Sequence, residues 1–217
     1  MDNLIKYDLK NFKVQHIVRQ DERLGRLIRF IRSSEIIIEE NGFQCLVKYI
    51  IGQQISDKAR ETIWKRLRVC LTLVTPESVL ETNDTQLRNI GLSFKKIEYI
   101  KTLAGAIINK ELDFDELENL SNEEIISKLT SVRGIGVWTA EMYLIFSLGR
   151  ENILPKADGT VKRVTQWVYN LESTPSIKFM VEQFSGCESY TTVICAFFWR
   201  AIELDLTKKS FDEIIPE

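Results

Sequence analysis

Apolar residues recur at helical spacing along almost the whole chain, and this excludes most folds at once. Phe43, Leu46, Val47, Ile50 and Ile51 fall at i, i+3, i+4, i+7 and i+8, the period of one buried helical face. Gly52 ends that pattern. Ser56 has the place of an N-cap for the next helix, which carries Ala59, Ile63 and Leu67. Thr75-Pro76-Glu77 starts another, with proline at the first helical position. Asp84 to Ile90 reads as a short helix closed by Gly91. Ser93 caps a run with Ile97, Ile100, Ala104 and Ile107 on one face. Ser121 and Glu124 fit a capping box before Ile125, Ile126 and Leu129. Further helices are predicted from Trp138 to Leu148, Thr160 to Tyr169, Ser176 to Phe184 and Thr191 to Glu203. Strand alternation is weak throughout. Gly 10 and Pro 4 in 217 residues are about half the usual share, too few turn formers for a many-stranded sandwich or barrel. The expected class is all-α, with an acidic tail from Phe211 to Glu217 that frays.

Composition narrows the function. A chain that is 44% hydrophobic and 28% charged can bury a core, so global disorder is excluded. No apolar run approaches the ~20 residues of a membrane span; the longest is Val193 to Trp199. Met1 to Lys6 lacks the features of a signal peptide, and a cytoplasmic protein is expected, nucleoid-associated or nuclear according to the cell type. Cys45, Cys70, Cys187 and Cys195 form no short-spaced pair, and His16 is the single histidine. Neither a zinc site nor an iron–sulfur cluster fits that spacing. The thiols read as reduced and mostly buried. Acid–base work would fall to carboxylates, hydroxyls or lysines.

The most informative local string is Leu129-Thr130-Ser131-Val132-Arg133-Gly134-Ile135-Gly136-Val137-Trp138-Thr139-Ala140. Two helices meet at a tight turn in which glycines flank one aliphatic residue. Glycine permits positive φ and close backbone approach. Ile135 is expected to tuck between the helices. Gly136 and the residues after it open a helix, so their amides are unpaired and suited to an anion. An ordinary helix–turn–helix corner is the alternative.

The string LxxVxGIGxWTA resembles the hairpin of the helix-hairpin-helix DNA glycosylase superfamily. Phe43, Leu46-Val47, Ile50-Ile51-Gly52-Gln53-Gln54-Ile55-Ser56 and Ile63-Trp64 resemble the family's helix pair that probes the minor groove. Leu87 to Ser93, with Lys96 and Tyr99-Ile100, resembles its next block. Leu154-Pro155-Lys156-Ala157-Asp158-Gly159-Thr160 is similar to the segment carrying the catalytic aspartate. The resemblance covers Phe43 to Arg163, more weakly to Arg200. It implies a two-lobed all-α fold with a cleft: residues 38–155 as a central lobe, and 1–37 with 156–217 as a discontinuous second lobe.

The resemblance also implies roles. Bifunctional members carry a lysine two residues after the second hairpin glycine; Trp138 stands there and has no nucleophilic amine. GIGxWTA resembles the 3-methyladenine DNA glycosylase II branch, which only hydrolyses the N-glycosidic bond. Asp158 is the expected catalytic carboxylate, stabilising positive charge on the sugar or activating water. It precedes a predicted helix, whose N-terminus favours the ionised form by about 0.3–1 kcal/mol. The alternative for Asp158 is a plain turn or cap residue before Gly159. The acidic neighbour common in the family is Ala157 here. A damaged base must leave the stack before attack, which implies a wedge at Gln54 or Ile55; the alternative packs Ile55 in the core while Gln53 and Gln54 bond local backbone. Trp138, Tyr143 and Trp199 are candidates to stack on an electron-poor alkylated purine through cation–π attraction, or they are core aromatics. Trp64 reads as core.

The net charge of −2 does not favour DNA, so a local basic face is required. Arg133, Lys162 and Arg163 are its candidates, with Lys58 and Lys95. Gly134, Ile135, Gly136 and Thr139 complete the expected DNA-binding set. No cofactor is expected beyond a monovalent cation on the carbonyls of Thr130, Val132 and Ile135. The expected protein is a monomeric, monofunctional glycosylase for alkylated purines in double-stranded DNA. The rivals are a glycosylase for deaminated or oxidised bases, and a non-catalytic DNA-binding module.

Overall fold

The computed structural model describes residues 3–216. The chain opens with β1 (Asn3–Asp8), α1 (Phe12–Gln20), α2 (Glu22–Ile31) and β2 (Ser33–Ile38). It continues through α3 (Gly42–Gly52), α4 (Asp57–Leu71), α5 (Pro76–Glu81), α6 (Asp84–Asn89), α7 (Phe94–Ile108), α8 (Phe114–Leu117), α9 (Asn122–Ser131) and α10 (Val137–Phe146). It closes with α11 (Gly159–Val168), α12 (Ile177–Gln183), α13 (Thr191–Glu203) and α14 (Phe211–Ile214).

Two compact units result. Glu39–Leu148 form one, and the residues before and after that stretch form the other. The expected second boundary at 155 moves to Leu148/Gly149. Hydrogen bonds explain the shift: Thr192 Oγ1 donates to Arg150 O at 2.9 Å and accepts from Ile153 N at 3.0 Å. Residues 149–155 are thereby bound to the start of α13.

In the unit holding the chain ends, α13 is the centre. Val193 to Phe198 are all at most 2% exposed, which follows from a helix apolar on every face. α2, α11, α1 and β2 pack around it. β1 and β2 pair antiparallel, Asn3 opposite Ile38 and Asp8 opposite Ser33. A two-stranded ribbon is stable only when packed on something larger, and Ser34 Oγ donates to Ala196 O of α13 at 2.7 Å. The helical pattern did not foreshadow this sheet. Its outer face carries Leu4 and Ile37, both exposed, so polar and apolar residues do not alternate along the strands. The acidic tail is also ordered rather than frayed. Ser210 and Glu213 form a capping box for α14, and Phe211 and Ile215 are fully buried; Glu217 lies outside the described residues.

In the other unit α3 is the centre, with Leu46, Val47, Ile50 and Ile51 all fully buried. α4, α7 and α10 pack on it, and α9 packs on α10 to form the hairpin. The caps follow the sequence: Ser56, Ser93 and Ser121 each accept an amide at their helix starts, and Ser121–Glu124 is a complete capping box. Three cysteines are buried, but Cys70 on α4 is exposed. No helix among the described residues is long and apolar enough to cross a membrane.

Candidate active site

The hairpin between α9 and α10 is built around two unlike glycines. Gly134 has φ of 103°, which β-carbon-bearing residues rarely adopt. Gly136 is extended at φ −93° and ψ 172°, so its backbone does not require glycine. What Gly136 provides is space: a Cβ there would meet nothing within 4 Å. It is the exposed N-cap of α10, with no side-chain cap bond. Ile135, between them, is 4% exposed and anchors the turn as expected. Val137, the first helical residue, is 52% exposed. The exposed N-terminus of α10 therefore has the openness an approaching phosphate needs.

The candidate wedge lies in the α3–α4 connection. Gln53 has φ −54° and ψ 124°, Gln54 has φ 58°, and Ile55 N donates to Gly52 O at 3.3 Å. These values describe a type II turn with Gln54 at the position that favours glycine. Gln54 is exposed, and Ile55 is 38% exposed rather than core. A large polar side chain held in a left-handed conformation at an exposed tip costs about 1–2 kcal/mol. Such strain clusters at functional sites.

Gln53 points the other way, into the protein. Its Nε2 donates to Gly134 O at 2.9 Å and to Thr139 Oγ1 at 3.1 Å. Thr139 is 1% exposed, so it braces the hairpin from within instead of facing DNA as expected. Arg133 is exposed, and its guanidinium meets Glu98 at 2.9 Å. Lys95 lies over the Tyr99 ring at 5.7 Å. Lys96 Nζ donates to Ile51 O at 2.6 Å, and burial lowers its pKa.

The aromatic candidates divide. Trp138 is half-buried and meets Tyr49 edge-on, ring centres 6.0 Å apart. Tyr49 in turn stacks on Phe146 at 5.3 Å and lies under the Arg60 guanidinium at 5.2 Å. Tyr143 is 1% exposed, with its ring 5.7 Å from Phe114; as placed, it has no accessible face for a base. Trp64, 5% exposed, is core as expected.

Asp158 lies in the other unit, as the N-cap of α11. Its Oδ1 accepts from Thr160 N and Val161 N, each at 2.9 Å. The residue is 9% exposed. Lys162 is half-buried, and Lys156 and Arg163 are exposed. α11 packs on α13, which carries half-buried Trp199. Asp158, Lys162 and Trp199 thus share one pair of packed helices, while Gln54, Ile55, the hairpin and Trp138 share the other unit. A buried carboxylate on a helix N-terminus is held rigid by two amide donors, which suits it to face developing positive charge.

The family described as "HhH-GPD superfamily base excision DNA repair protein" matches residues 47–188. The chain belongs to that superfamily. The HhH-GPD match takes in the Gln54 turn, the hairpin and Asp158, and stops before Trp199. A crystal structure of DNA-3-methyladenine glycosidase from Bacillus halodurans is 33% identical, with a TM-score of 0.81 over 98% of this chain and 100% of that one. The 3-methyladenine DNA glycosylase of Schizosaccharomyces pombe in complex with abasic DNA is 25% identical, with a TM-score of 0.78 over 88% and 97%. DNA-3-methyladenine glycosylase 1 of Schizosaccharomyces pombe is 29% identical over 201 residues, 89% of this chain and 88% of that protein.

Sequence reasoning missed the inward role of Gln53, because its partners lie 81 and 86 residues away. It missed the Tyr49 cluster for the same reason. Among the described residues no group of three His, Cys, Asp or Glu side chains could hold a metal ion.

Proposed function

We propose that this protein is a monofunctional DNA glycosylase that hydrolyses the N-glycosidic bond of alkylated purines of the 3-methyladenine type. The observation that carries the reading is Asp158: a nearly buried carboxylate fixed by two backbone amides, in a chain similar over most of its length to proteins named as 3-methyladenine glycosylases. As the bond from the sugar to the base breaks, positive charge develops on the sugar. The fixed carboxylate stabilises that charge and orients the water that replaces the base. The base leaves with the bonding electrons, and both strands stay intact. Trp138 supplies no amine for a covalent sugar intermediate. Trp138 and Trp199 are separate candidates for the ring that stacks on the base.

Docking to duplex DNA uses the amides from Gly136 onward, with Arg133 and Lys162 on phosphates and Gln54 or Ile55 entering the gap left by the flipped base. The carbonyls of Thr130, Val132 and Ile135 are proposed to hold a monovalent cation there. Val132 O accepts from Ile135 N at 3.1 Å, and a carbonyl has a second lone pair. A bound cation would add positive charge beside the phosphate.

The test is release of free purine from methylated duplex DNA by wild type and Asp158→Asn, without alkali. Asparagine keeps a cap acceptor and removes the charge. The variant is expected to retain duplex affinity and lose about 100-fold or more in rate. Equal rates would end the assignment of Asp158. Strand cleavage without alkali would end the monofunctional reading.

A further inference from the structure

Wedge and hairpin are distinct in sequence, yet one side chain joins them. Gln53 Nε2 bonds Gly134 O, inside the hairpin turn, and Thr139 Oγ1, in the first turn of α10. On the other side of the same connection, Lys96 Nζ bonds Ile51 O and closes the end of α3. The strained backbone of Gln54, at φ 58°, lies directly after this doubly held segment.

We propose that Gln53 is a positioning residue that fixes the Gln54–Ile55 tip relative to the phosphate-binding hairpin. This rests on the proposed glycosylase function. The hairpin grips the backbone, whereas the tip must enter the stack, and both act on one duplex. Their offset must therefore be fixed before binding. A displacement of about 1 Å at a reacting constellation costs on the order of 100-fold in rate. Chain connectivity alone cannot set the offset, because the two elements are 81 residues apart. The Gln53 amide sets it directly, with one nitrogen serving two acceptors. A carboxylate would present only oxygens to those acceptors, so glutamine is the residue the arrangement requires.

Gln53→Met keeps the length and removes both donors. Thr139→Val keeps the volume and removes one acceptor. Single-turnover excision is measured on an alkylated purine paired in a duplex and on the same purine in a single-base bulge, where less work of opening is needed. Gln53→Met is expected to lower the paired rate about tenfold, as for the loss of two ordinary hydrogen bonds, and the bulge rate by no more than about twofold. Thr139→Val should fall between on the paired substrate, and the double variant should be no slower than Gln53→Met. Equal losses on both substrates would mark Gln53 as merely structural and overturn the proposal, as would a paired rate like wild type.

A second measurement is independent of catalysis. 2-Aminopurine beside an abasic-site analogue reports unstacking in the bound duplex. Gln53→Met at saturation should show less unstacking than wild type; an equal signal overturns the proposal. Absence of excision by wild type on both substrates would sink the glycosylase reading alone, and the fluorescence would still decide the role of Gln53.

Discussion

A Cβ placed on Gly134 would lie 2.2 Å from Cγ of Tyr99, so the ring of α7 occupies the space a side chain would need. The contact ties the hairpin turn to a helix that precedes it in the same unit. Gly134 also has φ of 103°. Backbone conformation and packing therefore each disfavour any other residue there. Gly134→Ala is expected to destabilise the protein by about 2–3 kcal/mol, combining backbone strain with the displacement of a packed ring. Urea denaturation checks this. A midpoint equal to wild type would mean that Tyr99 moves aside at little cost.

Gly136 predicts the opposite pattern. Its φ of −93° suits any residue, and a Cβ would meet open space. Alanine is a poorer N-cap than glycine by roughly 0.5–1 kcal/mol, and the smaller freedom of alanine in the unfolded chain offsets this by about 0.4–1 kcal/mol. Gly136→Ala should unfold at nearly the wild-type midpoint, yet bind duplex DNA about tenfold more weakly, because the methyl group stands where a phosphate would approach the α10 amides. Anisotropy titration of a labelled duplex measures the affinity. Unchanged affinity would remove this helix start from the DNA interface.

The two glycines also show how much was legible in the sequence. The string around Gly134 and Gly136 revealed the hairpin, because local spacing dictates a tight turn between helical faces. It did not reveal that only Gly134 must be glycine, since part of the reason is the packed ring of Tyr99, 35 residues earlier. Asp158 was legible as a cap by position, and the structure adds its near-burial. Thr139 was assigned to DNA because it follows the hairpin, but helical geometry turns it inward to Gln53. The sheet escaped notice because outward-facing Leu4 and Ile37 are exposed apolar residues, which erases the period-two signal. For Gly134 and Thr139 the missing information was a contact distant in sequence.

Acid stability should carry a signature of the α14 dock. Asp212 accepts from Asn170 at 2.7 Å and meets Arg23 and Arg26, each at 3.1 Å. The hydrogen bonds from Asn170 and Arg23, then the two guanidinium charges, hold its carboxyl below the ordinary value of 3.8. A pKa depressed by folding stabilises the protein above the unfolded value, and that stabilisation is lost as pH falls through the folded value. Asp212→Asn should therefore be less stable than wild type at neutral pH, and the two should converge in acid. Urea midpoints from neutral pH into the acid range test the sign. A gap that widens on acidification would contradict it.

Gln54 sets function against stability at one residue. It occupies the glycine-favoured position of a type II turn, at φ 58°. Glycine there relieves a strain of about 1–2 kcal/mol, offset in part by the greater backbone freedom of glycine in the unfolded chain. Gln54→Gly is thus expected to be as stable as wild type or more so. A wedge acts through its side chain, so the same substitution should slow excision of a paired alkylated purine by about tenfold or more, while affinity for phosphates at the hairpin falls little. The two measurements, a urea midpoint and a single-turnover rate, must move apart. A stabilised variant with undiminished rate would transfer the wedge to Ile55, the other exposed side chain of the turn. Loss of both stability and rate would mean that the Gln54 side chain supports the turn itself.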